Sequence, residues 1–476
     1  MNNPVKNKLT EGPIIKALLH LAGPIMLANV LQAAYQLTDS FWVGRLGEEA
    51  VASVAVSIPI VFLLTSLGIG FAIAGATFVA QYFGARNDKM VSHAAAQTTL
   101  MIISVSIILS AIGVLFSKNI LSLMNVPDKI VPIAGSYMKI VFLSLLPNFC
   151  FMMFQSIMRS IGRPKIPVYI VLSAVVMNFF LDPLLMFGYG PIPRLEVVGT
   201  AYATISIQTI AALAGLLILF SGKHGIHLKI RDFRPDWPFI KKSFWIGLPA
   251  SIEQSSRSLG MVVMTSLIAG FGTAAVASYG AGSNIFQIVI IISIGLAVST
   301  AALAGQNIGA GRIDRAEQTG WLSIKTSFIG LSIIGTIVFI LAPTLIRFFI
   351  PDNQNIIDEG ARFLRIVAFT FGLIGIQMSV NAILQASGNT FTSMLLTIGS
   401  QWIIQMPAAF LMSRFTSLGL TGLWLAFPLT NIIMTFVAIA VFRGGKWKQK
   451  KITAEEKLST LVSEEIESSE AIPYDA

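Results

Sequence analysis

The chain has 476 residues, 54% of them hydrophobic and only 12% charged, with a formal net charge of +10. An average soluble domain is roughly 25% charged, so a soluble protein is excluded, and twelve spans of about 20 apolar residues each use nearly the whole length. Cys150 is the only cysteine and sits in an apolar run, which excludes a disulfide, a zinc cluster or a thiol pair within one chain.

Residues 1–13 are polar and mildly basic and form a predicted cytoplasmic N-terminal segment. The apolar stretch from Ile14 outruns a signal-peptide core and lacks a small-residue cleavage site, so it is expected to be retained as the first span. Spans are predicted at 14–40, 50–82, 92–116, 132–157, 165–190 and 197–220, making an N-terminal six-helix bundle over 14–222. A basic inter-bundle loop, 223–239, is predicted next. Further spans at 240–268, 275–304, 318–346, 361–386, 392–413 and 420–442 then make a C-terminal six-helix bundle over 240–443. The tail, 444–476, begins basic, becomes rich in Glu and Ser, and is predicted to be disordered. The fold class is therefore all-α and polytopic.

The basic residues sort by side. Alternate loops carry Lys6, Lys8, Lys16, Arg86, Lys89, Arg159, Arg163, Lys165, the bases between Lys223 and Lys242, Arg312, Arg315 and the Arg443 to Lys451 cluster. The other side carries Arg45, Lys118, Lys129, Arg194, Arg347, Arg362, Arg365 and Arg414. By the positive-inside rule both termini are cytoplasmic and the protein is multi-pass in the inner (plasma) membrane. The positive charge marks membrane sides, so the expected surroundings are a lipid bilayer and no nucleic acid, with a monomer as the working unit.

The sequence repeats itself at an offset of 225. Gly23-Pro24 answers to Leu248-Pro249, Gly47 to Gly272, Val51-Ala52-Ser53 to Val276-Ala277-Ser278, Gln81 to Gln306 and Gly84-Ala85 to Gly309-Ala310. Later the offset drifts: Ser160-Ile161-Gly162 faces Ala386-Ser387-Gly388, Pro183 faces Pro407 and Gly199 faces Gly422. Six spans repeat as six, and an even number per unit gives parallel repeats about an axis along the membrane normal. Such a pair holds its cavity between the halves, where rocking exposes a midplane site to either side.

Leu37-Thr38-Asp39-Ser40, Val43-Gly44-Arg45-Leu46-Gly47, Gln81-Tyr82-Phe83-Gly84-Ala85, Asn178 with Asp182-Pro183, and the Gly-Gln-Asn-Ile-Gly-Ala run at 305 to 310 carry a family likeness. Together they resemble the multidrug and toxic compound extrusion (MATE) family, in the branch of its DNA-damage-inducible and archaeal members, over residues 14 to about 443. The resemblance implies a V-shaped pair of pseudo-two-fold related six-helix bundles that exports amphipathic organic cations, driven by a proton or sodium gradient.

Three acidic residues fall well inside predicted spans: Asp39, Asp182 and Glu253. Buried carboxylates are costly in a membrane and each needs a reason. Asp39 ends a stripe of Asn29, Gln32 and Gln36 whose spacing of three and four puts all four on one helical face. A face this polar lines a cavity. Asn178 and Asp182 are four apart and share a face, and Pro183 weakens the backbone bond to the carbonyl of Phe179 beside them. In the resembling proteins a hydroxyl matching Thr200 sits with these groups, so the resemblance implies a cation-coupling site of Asp39, Asn178, Asp182 and Thr200, taking H⁺ or Na⁺ as coupling ion. No cofactor, and no metal other than Na⁺ at that site, is expected.

Glu253 has Arg257 four residues on, which predicts a local ion pair. Some sodium-driven members of the resembling family pair such a carboxylate with an aspartate in span ten. Here that span offers Gln377, Asn381 and Gln385 and no acid. Gln377, Asn381 and Gln405 are cargo-cavity candidates or interhelical hydrogen bonders. Among the 18 Met and 32 Phe residues, those reaching the cavity would suit cargo of many shapes, because thioethers and aromatic faces adapt. His20, His93, His224 and His227 are scattered, and no Walker loop or nucleophile with its base occurs. An enzyme is therefore not expected. The rival within transport is a lipid-linked precursor flippase, which would place arginines in the central cavity to meet pyrophosphate.

Overall fold

The computed structural model describes residues 9–124, 126–127, 129–449 and 452. Residues 1–8 and the acidic part of the tail lie outside the described residues.

The N-terminal half runs α1 (Ile14–Gly44), α2 (Glu48–Gly84), α3 (Asp88–Leu123), α4 (Val131–Leu143), α5 (Leu145–Ser160), α6 (Lys165–Phe187) and α7 (Glu196–Phe220). The C-terminal half runs α8 (Trp237–Ala269), α9 (Thr273–Gly309), α10 (Ile313–Phe349), α11 (Gln354–Ala368), α12 (Phe371–Ala386), α13 (Thr390–Ile398), a π-helical turn (Gly399–Gln405), α14 (Met406–Arg414) and α15 (Leu420–Arg443). Among the described residues, nine helical segments are long and apolar enough to cross a membrane, and the bent pairs α4–α5 and α11–α12 supply two more. The twelfth is α8. Its middle carries Ser251, Glu253, Gln254, Ser255, Ser256, Arg257 and Ser258, a polarity tolerated because α8 packs against α2 and α13.

Matching helices show matching local physics. Gly47 and Gly272 precede α2 and α9 with φ 104 and 98, a region that favours glycine. The fourth span bends in both halves, by 40° between α4 and α5 and by 49° between α11 and α12. At each bend a hydroxyl bonds back to the carbonyl three residues earlier: Ser144 Oγ to Val141 at 2.7 Å and Thr370 Oγ1 to Val367 at 2.9 Å. That bond competes with the helical ladder. The fifth span differs between halves. α6 continues as one helix past Pro183 to Phe187, whereas the equivalent helix meets Pro407 after a π-helical turn, a device that absorbs the missing amide hydrogen.

Each bundle has its own apolar core. One gathers Phe78, Phe149, Met153, Phe154 and Met158, the other Phe363, Leu364, Phe371 and Trp424. Residues 223–239 pack on the first bundle, where Ile226 and Leu228 join its core. Gln97 Nε2 donates to the carbonyls of Asp232 at 2.7 Å and Arg234 at 2.6 Å.

The bundles meet at the end that carries the basic loops. Gln81 Nε2 donates to the Ala386 carbonyl at 2.8 Å, and its repeat partner Gln306 Nε2 to the Ser160 carbonyl at 2.6 Å. Gly84 lies against the Gln306 carbonyl and Gly309 against the Gln81 carbonyl. Farther along, Ser251 Oγ donates to the Leu67 carbonyl at 2.9 Å, and Ser66 and Ser258 share a 3.0 Å hydrogen bond. Across the other half of α1 and α2, among the described residues, no hydrogen bond reaches the second bundle. Among the described residues, the hydrogen bonds between the bundles thus lie in the half toward the basic end.

Candidate functional site

α1 carries the polar stripe on a helix that is otherwise apolar. Gln32 and Gln36 are exposed, and Asn29 and Asp39 half-buried; the spacing keeps all four on one face of α1. α6 packs along α1 and brings Asn178 and Asp182, both fully buried, to Asp39. Asn178 Nδ2 donates to Asp39 Oδ1 at 2.8 Å. The Asp182 carboxyl stands beside Asp39 and Asn178, yet neither of its oxygens receives a hydrogen bond of good geometry. A buried carboxyl without donors is costly unless it holds a proton or faces a small cation.

Thr200 was expected at the coupling site. It is buried on α7, but its hydroxyl donates to its own helix, to the Val197 carbonyl at 2.8 Å, and makes no hydrogen bond to the acidic pair. A hydroxyl three residues from a free helical carbonyl satisfies itself locally. Tyr35 and Tyr137 were missed by sequence reasoning. Both rings lie within electrostatic reach of Asp39 and Asp182, and Tyr35 Oη donates to Thr204 Oγ1 at 3.3 Å. Tyr35 falls four residues before Asp39, and that spacing was the available signal.

The second bundle differs at every equivalent point. Met264 stands where the repeat has Asp39, and Met406 where it has Asp182. Its buried carboxylate is Glu253, 1% exposed. Glu253 Oε1 accepts from Arg257 Nη2 and from Thr397 Oγ1, each at 3.1 Å. Oε2 accepts from Ser393 Oγ at 2.8 Å and Gln385 Nε2 at 3.3 Å. Four donors saturate this carboxylate and tie α8 to α12 and α13. Gln377 is likewise a tie between helices: its Nε2 donates to the Asn431 carbonyl at 3.2 Å and to Thr435 Oγ1 at 3.3 Å on α15. Asn381 and Gln405 are half-buried.

Removing one partner of a buried ion pair costs roughly 3–5 kcal/mol because the other charge is stranded. Glu253→Gln and Arg257→Gln are each expected to lower the thermal midpoint of the detergent-solubilised protein, and the double variant to recover part of the loss, with a coupling of about 1–3 kcal/mol. Strictly additive losses would remove the pair from the account.

Comparison with known proteins agrees with this architecture. The MatE family model matches twice, at residues 24–184 and 249–411, in register with the internal repeat. A curated relative, "Probable multidrug resistance protein YoeA" of Bacillus subtilis (strain 168), is 27% identical over 454 residues, covering 94% of this chain and 97% of its own. The "FAD transporter" of Shewanella oneidensis is 28% identical, covering 90% of this chain and 94% of its own. A solved structure described as an outward-facing conformation of a multidrug resistance MATE family transporter of the MOP superfamily has a TM-score of 0.86 at 23% identity, covering 93% of this chain and 98% of its own. That likeness is one of fold: twelve helices in two lobes. Two matches of the family model, one per bundle, fix the assignment: the chain belongs to the MatE family, the multidrug and toxic compound extrusion transporters.

Proposed function

We propose that this chain is a secondary active exporter that couples the entry of H⁺ or Na⁺ to the expulsion of amphipathic cationic small molecules by alternating access. The observation that carries this reading is the Asp182 carboxyl, fully buried beside Asp39 with no hydrogen-bond donor of good geometry. A buried carboxyl beside a second one, with no donor of its own, is a group whose charge state changes with a bound proton or small cation. The names of relatives such as YoeA support drugs as cargo. The basic loops at the end where the bundles meet support a cytoplasmic position for that end and for both termini, so the cavity opens outward. Working as a monomer, the exporter would take up its coupling ion from outside at Asp39 and Asp182. The energy of that binding would favour return to the inward-open arrangement.

The test is transport in proteoliposomes with a fluorescent organic cation as cargo and proton and sodium gradients imposed separately. One gradient is expected to drive accumulation of the dye against its own gradient. Transport that neither gradient accelerates would overturn the coupling.

A further inference from the structure

The two turns that receive the crossed glutamine bonds share a second feature. Ser160-Ile161-Gly162 takes Gln306 and Ala386-Ser387-Gly388 takes Gln81, and each ends on a glycine in the left-handed region, with φ 79 at Gly162 and 82 at Gly388. Over each glycine lies an apolar side chain from near an end of the chain. A Cβ at Gly162 would come 2.7 Å from Leu9 Cδ1, and one at Gly388 would come 2.6 Å from Ile452 Cδ1. Both side chains are buried, Leu9 at 7% exposure and Ile452 at 3%. At the 225 offset Leu9 answers to Arg234. The repeat therefore supplies the two seats but not what fills them: an unrelated tail residue does in one half what the leader of α1 does in the other.

Each filling residue joins the two bundles. Leu9 covers Gly162 on the first and packs with Ala302 and Leu303 of α9 on the second, where Asn307 Nδ2 donates to its carbonyl at 3.4 Å. The second bundle holds the following residues too: Arg312 Nη1 donates to the Thr10 carbonyl at 2.6 Å and Arg315 Nη2 to the Gly12 carbonyl at 2.7 Å. Only then does the chain enter α1. The tail reaches across in the opposite sense. Trp447 is buried in an apolar cluster of the second bundle, and Lys448 Nζ pairs with Glu317 Oε2 of α10 at 2.7 Å. Ile452 then covers Gly388 and belongs to the apolar cluster of the first bundle, while its carbonyl accepts from Lys242 Nζ, near the start of α8, at 3.0 Å.

A contact that spans two bodies breaks on one side when they part, and alternating access requires the basic end to part. We propose that Leu9 and Ile452 are a pair of latches on that end: seated at Gly162 and Gly388 they hold the bundles together there, and both unseat when the end opens to cargo. This rests on the alternating-access reading and names what sets the balance between its two states. Each seat buries one branched apolar side chain, whose return to water is enough to shift a two-state population about tenfold.

The test attaches spin labels at Lys89→Cys and Asp314→Cys, exposed positions in the first turns of α3 and α10, in full-length protein carrying Cys150→Ala in phospholipid nanodiscs. Double electron–electron resonance reads the distance between them. Leu9→Ser and Ile452→Ser are each expected to raise the ratio of the longer-distance to the shorter-distance population about tenfold, and the double variant about 100-fold, since the seats are separate. Leu9→Met, which refills its seat, should stay within about twofold of the parent. Arg315→Gln removes the bond to the Gly12 carbonyl, leaves the apolar packing whole and should raise the ratio about threefold, which keeps the test available if the serine variants fold poorly. Ratios unchanged within about twofold in the folded variants overturn the latches, and a lowered thermal midpoint with no change of ratio does the same, because it leaves Leu9 and Ile452 as packing alone. Export is read separately with the dye assay. Variants that part the basic end of a protein that moves no dye keep the latches and remove the export reading, whereas unchanged ratios in a protein that pumps dye do the reverse.

Discussion

Asp182→Asn is expected to abolish gradient-driven transport in liposomes, with the initial rate falling by on the order of 100-fold, and Asp39→Asn to do the same, since each removes an ionisable group from inside the membrane. The amide keeps the size and shape of the carboxyl, so the Asn178 contact to position 39 at 2.8 Å retains an oxygen acceptor and the bundle still packs. What is lost is the ability to take up and release a proton or to neutralise a small cation. Equilibrium binding of cargo should stay within a few-fold, because the polar stripe of Asn29, Gln32 and Gln36 is untouched. The asymmetry of the halves sharpens the expectation: Met264 and Met406 occupy the equivalent positions, so the second bundle holds no substitute for the lost carboxyl. Variants at 39 and 182 that both concentrate dye at the wild-type rate would sink the assignment.

The spans were legible because a helix that crosses a bilayer must be long and apolar whatever else it does. α8 was also among the expected spans, at 240–268, although its polar middle weakens its hydropathy. The bends at Ser144 and Thr370 were not legible, since one hydroxyl among many bonds back to its own helix and only the packing around it chooses which. Pro407 announced a break without saying that a π-helical turn would absorb it.

At the site, the stripe ending in Asp39 and the pair Asn178 and Asp182 were each legible from spacing, because residues four apart share a helical face and buried acids are rare enough to count, whereas their meeting came through the resemblance. Tyr35 and Tyr137 were not. Tyrosine is at home in packing and at membrane interfaces, so its presence raises no question in the sequence. Thr200 came through the resemblance alone, and its hydroxyl serves its own helix.

Gly84→Ala is expected to arrest the transport cycle by preventing closure of the basic end, and Gly309→Ala to do the same. A Cβ at Gly84 would overlap the backbone carbonyl of Gln306, and one at Gly309 that of Gln81. The obstacle is backbone on a packed helix, so relief requires α2 and α9 to separate, and with them the Gln81 and Gln306 bonds to Ala386 and Ser160. Overpacking of this kind costs roughly 1–3 kcal/mol, borne by the closed state alone, which shifts the populations about tenfold to 100-fold toward separation. Cysteines at Ser66 and Ser258, whose hydroxyls lie 3.0 Å apart, report closure through disulfide yield in a Cys150→Ala background. The yield should fall with Gly84→Ala and little further with Gly309→Ala added, because one methyl already unseats the contact both share. Gly330→Ala, where a Cβ meets open space, is the control and should leave yield and transport unchanged. Wild-type disulfide yield together with wild-type transport in Gly84→Ala would show that the two helices do not close through this glycine pair.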